Sequence, residues 1–291
     1  MSSAPIDPSS KYHPEFDPEF DALDADIVLS SNEGTFYRVH SIFLKTASGF
    51  FRGMFELPAS SPSNSPIPTS QSDTTLYNFL SLISSRIPPA LFSSFSTVLD
   101  LLYLCESWDA PGPISILRSG ITAPSFLAQP LELYRVAVHF GWEEEAKLAS
   151  THTLKLDLFD THVKSDLSSL PGTALLALIT LHRSRRDILK SNLDDPEMFN
   201  TGNSTSCAYC SGDTDHSAWR EFKYRLFVEM DKRPAGEFIR DVTEMDEWPE
   251  TQACWEARCT NGGCGKVLYH KPSTVQAMRD CLDKLPTTVS L

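Results

Sequence analysis

The chain has 291 residues, of which 41% are hydrophobic and 22% are charged, an ordinary balance for a globular protein with a sizeable core. Its net charge of −13 disfavours nucleic acid or an anionic membrane as a partner, because binders of either present a basic face. No apolar run reaches the roughly 18 residues of a transmembrane helix, and the polar N-terminus lacks a signal-peptide core. We therefore expect an intracellular protein, cytoplasmic or nuclear, whose cysteines are thiols or metal ligands rather than disulfides.

The first elements predict a small α+β domain. Residues 1–20 are polar and acidic, with the near-repeat PEFDPEF, and we expect a disordered arm there. A strand over 25–31, a turn at 32–34 and a strand over 35–40 form a predicted hairpin. The helix predicted over 42–57 carries apolar residues on more than one face, which indicates a helix that is interior or faces a partner.

The middle of the chain is predicted to be helical. A Ser/Pro-rich loop over 59–73 has room for one short strand. Helices over 74–85 and 92–108 follow, separated by a pair of prolines, and the second stops at the sequence DAPGP. A further helical stretch covers 131–156, with a break near Gly141.

The last third combines helices with a cluster of cysteines. An amphipathic helix over 172–193 contains the basic sequence HRSRRD, which we expect to be a solvated or salt-bridged helix end. A linker over 201–206 precedes a strong helix over 217–232, whose apolar residues are expected to be core rather than a ligand pocket.

The stretch from DADIVLSS to TFYRVHSIFLKTASGFFRGMF resembles the start of a BTB/POZ domain. That family has an Asp before a strand, a strand that ends in His, and then a helix with Leu, Ser and adjacent aromatic residues. The matching positions here are Asp26, His40, Leu44, Ser48, Phe50, Phe51 and Phe55. Gly49 stands where many members have proline. Weaker similarity over most of 20–290 resembles the expanded BTB families of mushroom-forming fungi.

The resemblance implies an α+β fold class and a division into domains. A BTB/POZ-like domain with a small sheet and a helix cluster would cover 21–155, after the arm over 1–20. A helical extension over 156–200 would follow, and then a mainly helical region over 201–291 with a predicted zinc-stapled tail.

The resemblance also implies a non-enzymatic protein-interaction module that associates with a second copy or another protein. Many BTB domains dimerise through their first helix and first strand. One side of the helix over 42–57 would then pack on the core and the other would meet the partner. The predicted interface residues are Phe43, Phe50, Phe51, Met54 and Phe55. A charge at Phe43 or Phe51 is expected to cost several kcal/mol.

Several narrower or rival functions remain open at this point. Some BTB proteins are adaptors that bind a cullin ubiquitin-ligase scaffold, and Leu104-Cys105-Glu106 has the hydrophobic-x-Glu form found in some of them. A transcription regulator could use the cysteine-rich region for nucleic acid, although that region has few basic residues. A zinc hydrolase would need an open metal position. The sequence has no P-loop, nucleophile elbow or zinc-protease motif.

Three polar residues near the hairpin could suggest catalysis. Asp26 begins one strand and His40 ends the other, and we expect a buried polar pair that holds the hairpin onto the helix. Ser48 is expected to bond a backbone carbonyl one turn back rather than to act as a nucleophile.

The cysteines are the strongest candidates for chemistry. Cys207-Ala-Tyr-Cys210 presents two thiolates on one tight turn, and Cys259-Thr-Asn-Gly-Gly-Cys264 does the same with glycines that allow a positive-φ turn. Together they predict a closed, structural zinc site with four cysteine ligands. Three other residues could replace a ligand: Cys254, His216 and His270. The alternative is a set of free thiols, which is also our expectation for Cys105 and Cys281 in the core.

Overall fold

The structure is a computed structural model that describes residues 15–57 and 65–290. It consists of two compact units, residues 1–123 and 124–291. Within the described ranges the chain is mostly helical with a small four-stranded sheet. The predicted α+β class is confirmed at this level.

The sheet belongs to the first unit and is built around the predicted hairpin. Its strands are β1 Phe16–Asp21, β2 Ile27–Ser30, β3 Phe36–Val39 and β4 Ile67–Pro68. The order is β1-β3-β2-β4, with β2 and β3 antiparallel and the two outer strands parallel to their neighbours. The hairpin is therefore confirmed, and the Ser/Pro-rich segment does supply one short strand.

Strand β1 lies where the sequence predicts the end of a disordered arm. Phe20 is buried between the rings of Tyr37 and Tyr77, with centroid distances of 6.0 and 5.8 Å. Burial of this ring offsets the entropy lost when the strand is ordered. The disorder prediction over 1–20 is thus wrong from Phe16 onward, and residues 1–14 lie outside the described part.

The predicted helix over 42–57 is divided into α1 Ser41–Ala47 and α2 Gly49–Glu56. Ser48 between them is extended, and its hydroxyl accepts a hydrogen bond from the Phe51 amide at 3.2 Å. The same hydroxyl donates to the carbonyl of Trp108 at 2.5 Å. Ser48 is thus the N-cap of α2 and bonds a carbonyl remote in sequence, so the prediction of a bond one turn back is wrong.

Asp26 and His40 do not form a buried pair. The Asp26 carboxylate accepts hydrogen bonds from the amide and hydroxyl of Ser41, at 2.7 and 2.6 Å, and these bonds hold its pKa below the usual value. His40 instead lies 3.7 Å from the carboxylate of exposed Asp24. Asp26 therefore anchors the first turn of α1 to the hairpin, a structural role without His40.

Gly49 begins α2 in close contact with the segment after Trp108. Its amide donates to the carbonyl of Asp109 at 2.8 Å, and a Cβ atom at Gly49 would overlap the Asp109 carboxylate. Proline at this position would remove the donor and add that overlap. We expect Gly49→Pro to lower the free energy of unfolding by about 1–2 kcal/mol, measured by urea denaturation.

Gly53 is the matched control for this substitution. It lies inside the same helix, and a Cβ atom there would meet open space. Gly53→Ala should leave stability unchanged or raise it by about 0.5–1 kcal/mol through helix propensity. Wild-type stability of Gly49→Pro would show that the bond to Asp109 contributes nothing.

The rest of the first unit is a helix cluster, α3 Asp73–Ile83, α4 Phe95–Ser107 and α5 Pro111–Gly120. The helix predicted over 92–108 does stop at DAPGP, as α4, but a further helix that the sequence analysis does not predict, α5, starts inside that sequence. Proline in the first turn of a helix sacrifices no intrahelical hydrogen bond, so Pro111 begins α5 instead of preventing it.

The second unit is helical throughout its described residues, apart from two isolated β-bridges. Its elements are α6 Pro124–Leu127, α7 Pro130–His139, α8 Glu143–Thr153, a 3-10 turn Thr161–Val163, α9 Lys164–Ser168, α10 Gly172–Asp194, α11 Asn200–Asn203, α12 Ser217–Lys232, α13 Glu237–Arg240, α14 Val242–Asp246, α15 Pro249–Glu256 and α16 Lys271–Asp283.

Helices α7 and α8, assigned by sequence to the first domain, pack on each other within this unit. The family-type domain over 21–155 stays a prediction.

Candidate metal centre

The four predicted cysteines come together in the second unit. The sulfur atoms of Cys207, Cys210, Cys259 and Cys264 all lie within 4.8 Å of one another. Across the two sequence motifs, the Cys207 and Cys264 sulfurs are 3.9 Å apart and those of Cys210 and Cys259 are 3.7 Å apart. The cluster is compatible with a metal site that joins two segments distant in sequence.

The first pair sits on a tight turn at the end of a small β-bridge. Ser206 pairs with Asp213, and within that bridge the Cys207 amide donates to the Gly212 carbonyl at 2.9 Å. The amide of Tyr209 points at the Cys207 sulfur at 3.4 Å. An amide donor of this kind stabilises a thiolate, because it supplies positive charge where the sulfur is negative.

The second pair repeats this architecture. Arg258 pairs with Val267, and the Cys259 amide donates to the carbonyl of Lys266 at 2.9 Å. Between the two cysteines the chain turns back at Gly263, whose φ of +92° is readily available only to glycine. The sequence prediction that glycine permits this turn is confirmed.

The thiols of the cluster differ in their tendency to ionise. Hydrogen bonds from the Thr214 hydroxyl, 3.5 Å from the sulfur, and from the Asn261 amide lower the pKa of Cys259 to about 7. For Cys264, the Lys266 amide lowers the pKa, but burial and the neighbouring thiols outweigh it and raise the pKa to about 11. The hydrogen bonds to the Cys259 sulfur thus favour its thiolate, the form in which cysteine binds a metal.

The three alternative ligands lie outside the four-sulfur group. Cys254 is fully buried, and burial raises the pKa of its thiol to about 12, so it stays protonated. The His216 Nδ1 atom is 2.5 Å from the Tyr269 hydroxyl. The His270 Nδ1 atom is 3.0 Å from the Ser273 hydroxyl. Burial in the core for Cys254, and a side-chain partner for each of the two histidines, are structural roles that need no metal.

The cluster rests on a hydrophobic core that α12 dominates. Trp219, Phe222, Leu226 and Met230 of that helix are buried, as predicted, and Cys207 and Cys259 belong to the same core. Phe227, also predicted to be core, is only half-buried. Cys105 and Cys281 are buried in their helices, which confirms the prediction that both are core residues. The sulfur cluster therefore lies at the border between a packed core and solvent, since Cys210 is exposed.

The basic sequence HRSRRD lies inside α10 rather than at its end, and the salt-bridged form of the prediction is confirmed for Arg186 but not for Arg185. Arg185 is buried, and its guanidinium donates to the carbonyls of Pro234 at 2.7 Å and Pro286 at 2.6 Å. Arg186 forms an ion pair with Asp231. The sequence alone does not distinguish the buried Arg185 from the ion-paired Arg186, because the carbonyl groups that Arg185 contacts are 49 and 101 residues away in the chain.

The predicted interface residues in the first unit fall into two groups. Phe43 and Phe50 are 44% and 48% exposed, whereas Phe51 is 1% exposed and packs on Trp108 with ring centroids 5.0 Å apart. Met54 and Phe55 are half-buried. The surface available to a partner therefore includes Phe43 and Phe50 but not Phe51.

The hydrophobic-x-Glu sequence is also mostly internal. Leu104 and Cys105 are buried in α4, and only Glu106 reaches the surface.

No helix among the described residues is long and apolar enough to cross a membrane. Comparison with protein-family models finds no match to this chain, and none of the curated proteins matches it.

Proposed function

We propose that this chain is a non-catalytic protein-interaction protein. Its first unit is a BTB/POZ-type domain that associates with a second copy, and its C-terminal region is closed by one structural zinc ion. The first part is supported by the residue pattern shared with that family and by exposed apolar side chains on α1 and α2. The second part is supported by the four converging sulfurs.

The spacing of the sulfurs favours zinc. A tetrahedral ion with zinc–sulfur bonds of about 2.3 Å places its ligands about 3.8 Å apart. The two sulfur–sulfur distances across the motifs, 3.9 and 3.7 Å, lie on either side of that value. All-thiolate ligation with tetrahedral geometry is typical of Zn²⁺ among common biological cations.

Four thiolates fill the coordination sphere, so no position remains for water or substrate. The role that follows is structural. The ion would tie the turn at Cys207–Cys210 to the turn at Cys259–Cys264 and so close the chain around α12 and α15, two helices that pack on each other. Because the two turns meet only in the folded chain, the binding free energy of the ion would add to the stability of the fold and fix the ends of the core described above.

The exposed aromatic side chains carry the interaction part of the proposal. Phe43 on α1 and Phe50 on α2 leave nearly half of each ring in solvent, and Ile42 on α1 and Leu57 just after α2 are 62% and 69% exposed. Large apolar side chains grouped on adjacent elements mark an interaction surface more often than scattered ones do. A second copy presenting the same surface would bury it in a two-fold contact.

Native mass spectrometry of the full chain, purified without added metal, tests both parts together. We expect a dimer with one zinc ion per chain. Phe43→Asp should give a folded monomer that still holds zinc, and the substitution itself should cost less than about 1 kcal/mol because the charge enters an exposed surface rather than the core. Phe159→Asp is the matched control, since Phe159 is 63% exposed in the other unit and its variant should remain a dimer.

Two results would contradict this proposal separately. A Phe43→Asp protein that assembles like the wild type would exclude the surface on α1 and α2 as the contact. A chain without bound metal would exclude the zinc ion while leaving the interaction surface in place.

A further inference from the structure

The four sulfurs of the candidate metal centre form two pairs across the motifs, and each pair combines an accessible sulfur with a buried one. The sulfur of the exposed Cys210 lies 3.7 Å from that of Cys259, which is 5% exposed. The sulfur of the half-buried Cys264 lies 3.9 Å from that of Cys207, which is 1% exposed. Each pair therefore has one cysteine that a small solute can reach and one that is shielded.

This arrangement matches what a peroxide needs in order to convert two thiolates into a disulfide. The first thiolate must be reached by the peroxide, which oxidises it to a sulfenic acid. The second thiolate must lie close by, because it displaces hydroxide from that sulfenic acid. The buried sulfur of each pair occupies this second position and is itself protected from the peroxide.

The distance from contact to bond is short in both pairs. The sulfurs are 3.7 and 3.9 Å apart. A disulfide bond is about 2.05 Å long, so the sulfurs of either pair would approach each other by less than about 2 Å. This movement is divided between two side chains on turns that already face each other, so the turns need not separate.

The other three cysteines are protected from the same chemistry. Cys105, Cys254 and Cys281 are fully buried in the helices α4, α15 and α16. A peroxide in solution therefore meets the sulfurs of the cluster first.

The identity of the pairs decides what oxidation does to the fold. The bonds Cys207–Cys264 and Cys210–Cys259 would join residues 57 and 49 positions apart, on the same two turns that the ion would join. A bond inside one motif, such as Cys207–Cys210, would leave the two turns unconnected. Bonds across the motifs would therefore keep the chain closed around α12 and α15 after the metal has left.

We propose that this centre is a peroxide-sensitive switch that exchanges its zinc ion for two disulfides across the motifs while the second unit stays folded. The inference rests on the zinc site proposed above. In each pair the accessible thiolate attacks one oxygen of hydrogen peroxide and breaks the O–O bond, which gives a sulfenic acid and hydroxide. The buried thiolate then attacks the sulfenic sulfur, forms the S–S bond and releases a second hydroxide.

The overall reaction is balanced without any further reactant. Two molecules of hydrogen peroxide become four hydroxide ions, and each of the four thiolates loses one electron. The zinc ion leaves as Zn²⁺, because the thiolate is the form of cysteine that binds a metal and disulfide formation consumes it.

Titration of the zinc-loaded full chain with hydrogen peroxide tests the proposal. We expect zinc release, followed with the indicator 4-(2-pyridylazo)resorcinol, to be complete near two molecules of peroxide per chain. The thiols counted in denaturant should fall from seven to three, because four of the seven cysteines form disulfides. Peptide mass spectrometry without reduction should find Cys207–Cys264 and Cys210–Cys259, and circular dichroism should retain the helical signal. Dithiothreitol with added zinc should restore the metal-bound protein.

Two variants test the pairing without requiring bound metal. Cys210→Ser should form only the Cys207–Cys264 bond and leave Cys259 as a thiol. Cys264→Ser should form only the Cys210–Cys259 bond and leave Cys207 as a thiol. As a control, Cys254→Ala removes a buried cysteine outside the cluster and should release its zinc at the same peroxide concentration as the wild type.

Native mass spectrometry before oxidation separates two kinds of failure. A chain that holds no zinc overturns the proposed metal site, and this inference with it. A zinc-bound chain overturns this inference alone if it keeps its metal in excess peroxide, forms disulfides inside the motifs, or loses its helical signal on oxidation.

Discussion

The double substitution Cys207→Ser and Cys259→Ser is expected to abolish metal binding and to destabilise the second unit by several kcal/mol. Each substitution removes one sulfur from a different turn, so neither turn keeps a complete pair of thiolates. A ligand that binds only the folded state adds about 4 kcal/mol to stability at a free concentration of 1,000 times its dissociation constant. Removing it removes that contribution.

The measurement is the metal content of the purified protein together with its thermal unfolding. Wild-type protein should contain one zinc ion per chain and lose stability on treatment with a strong chelator. The double variant should contain none and should not respond to the chelator. The response to the chelator separates loss of the ion from any loss caused by the serine side chains themselves.

Cys254→Ala provides the matched control. Cys254 is another cysteine of the same unit, fully buried in its core and outside the four-sulfur group. Its replacement should cost about 1–2 kcal/mol through a small cavity and leave the zinc content unchanged. Full metal content in the double variant, or its loss in Cys254→Ala, would show that the ligands have been assigned incorrectly.

Phe51→Asp is expected to lower the free energy of unfolding by about 4 kcal/mol or more, enough to leave the first unit unfolded. The side chain is 1% exposed and packs on Trp108 and Phe55, so an aspartate would be buried without a partner. Both the lost ring and the buried charge oppose folding. Urea denaturation, followed by circular dichroism, measures the change.

Phe43→Asp is the matched comparison for stability. Sequence reasoning expects both substitutions to cost several kcal/mol, but Phe43 is 44% exposed on the neighbouring helix. We therefore expect it to cost less than about 1 kcal/mol, as surface substitutions usually do. If the two variants were equally stable, Phe51 would not hold the core position assigned to it.

Local patterns in the sequence determined much of this protein. Two short apolar stretches separated by a turn over 32–34 predict the β2–β3 hairpin, which is present. Two short cysteine motifs predict a four-sulfur cluster, because each motif places two thiols on one turn whatever the rest of the chain does. The hairpin and each single cysteine turn depend on residues within a few positions of one another, where near neighbours decide the backbone geometry, whereas the meeting of the two cysteine turns depends on the tertiary structure.

Other features were decided only by the tertiary structure, since each depends on a group distant in sequence. Ser48 interrupts a continuous helical pattern because its hydroxyl reaches the carbonyl of Trp108. Phe51 and Phe43 are both apolar positions of that pattern, but only the packing of Trp108 buries the first. Arg185 is internal because carbonyls of the segments before α13 and after α16 surround it. Periodicity and spacing in the sequence predict which residues share a face of a helix or strand. They do not identify the surface against which that face packs, because distant segments form that surface only when the chain folds.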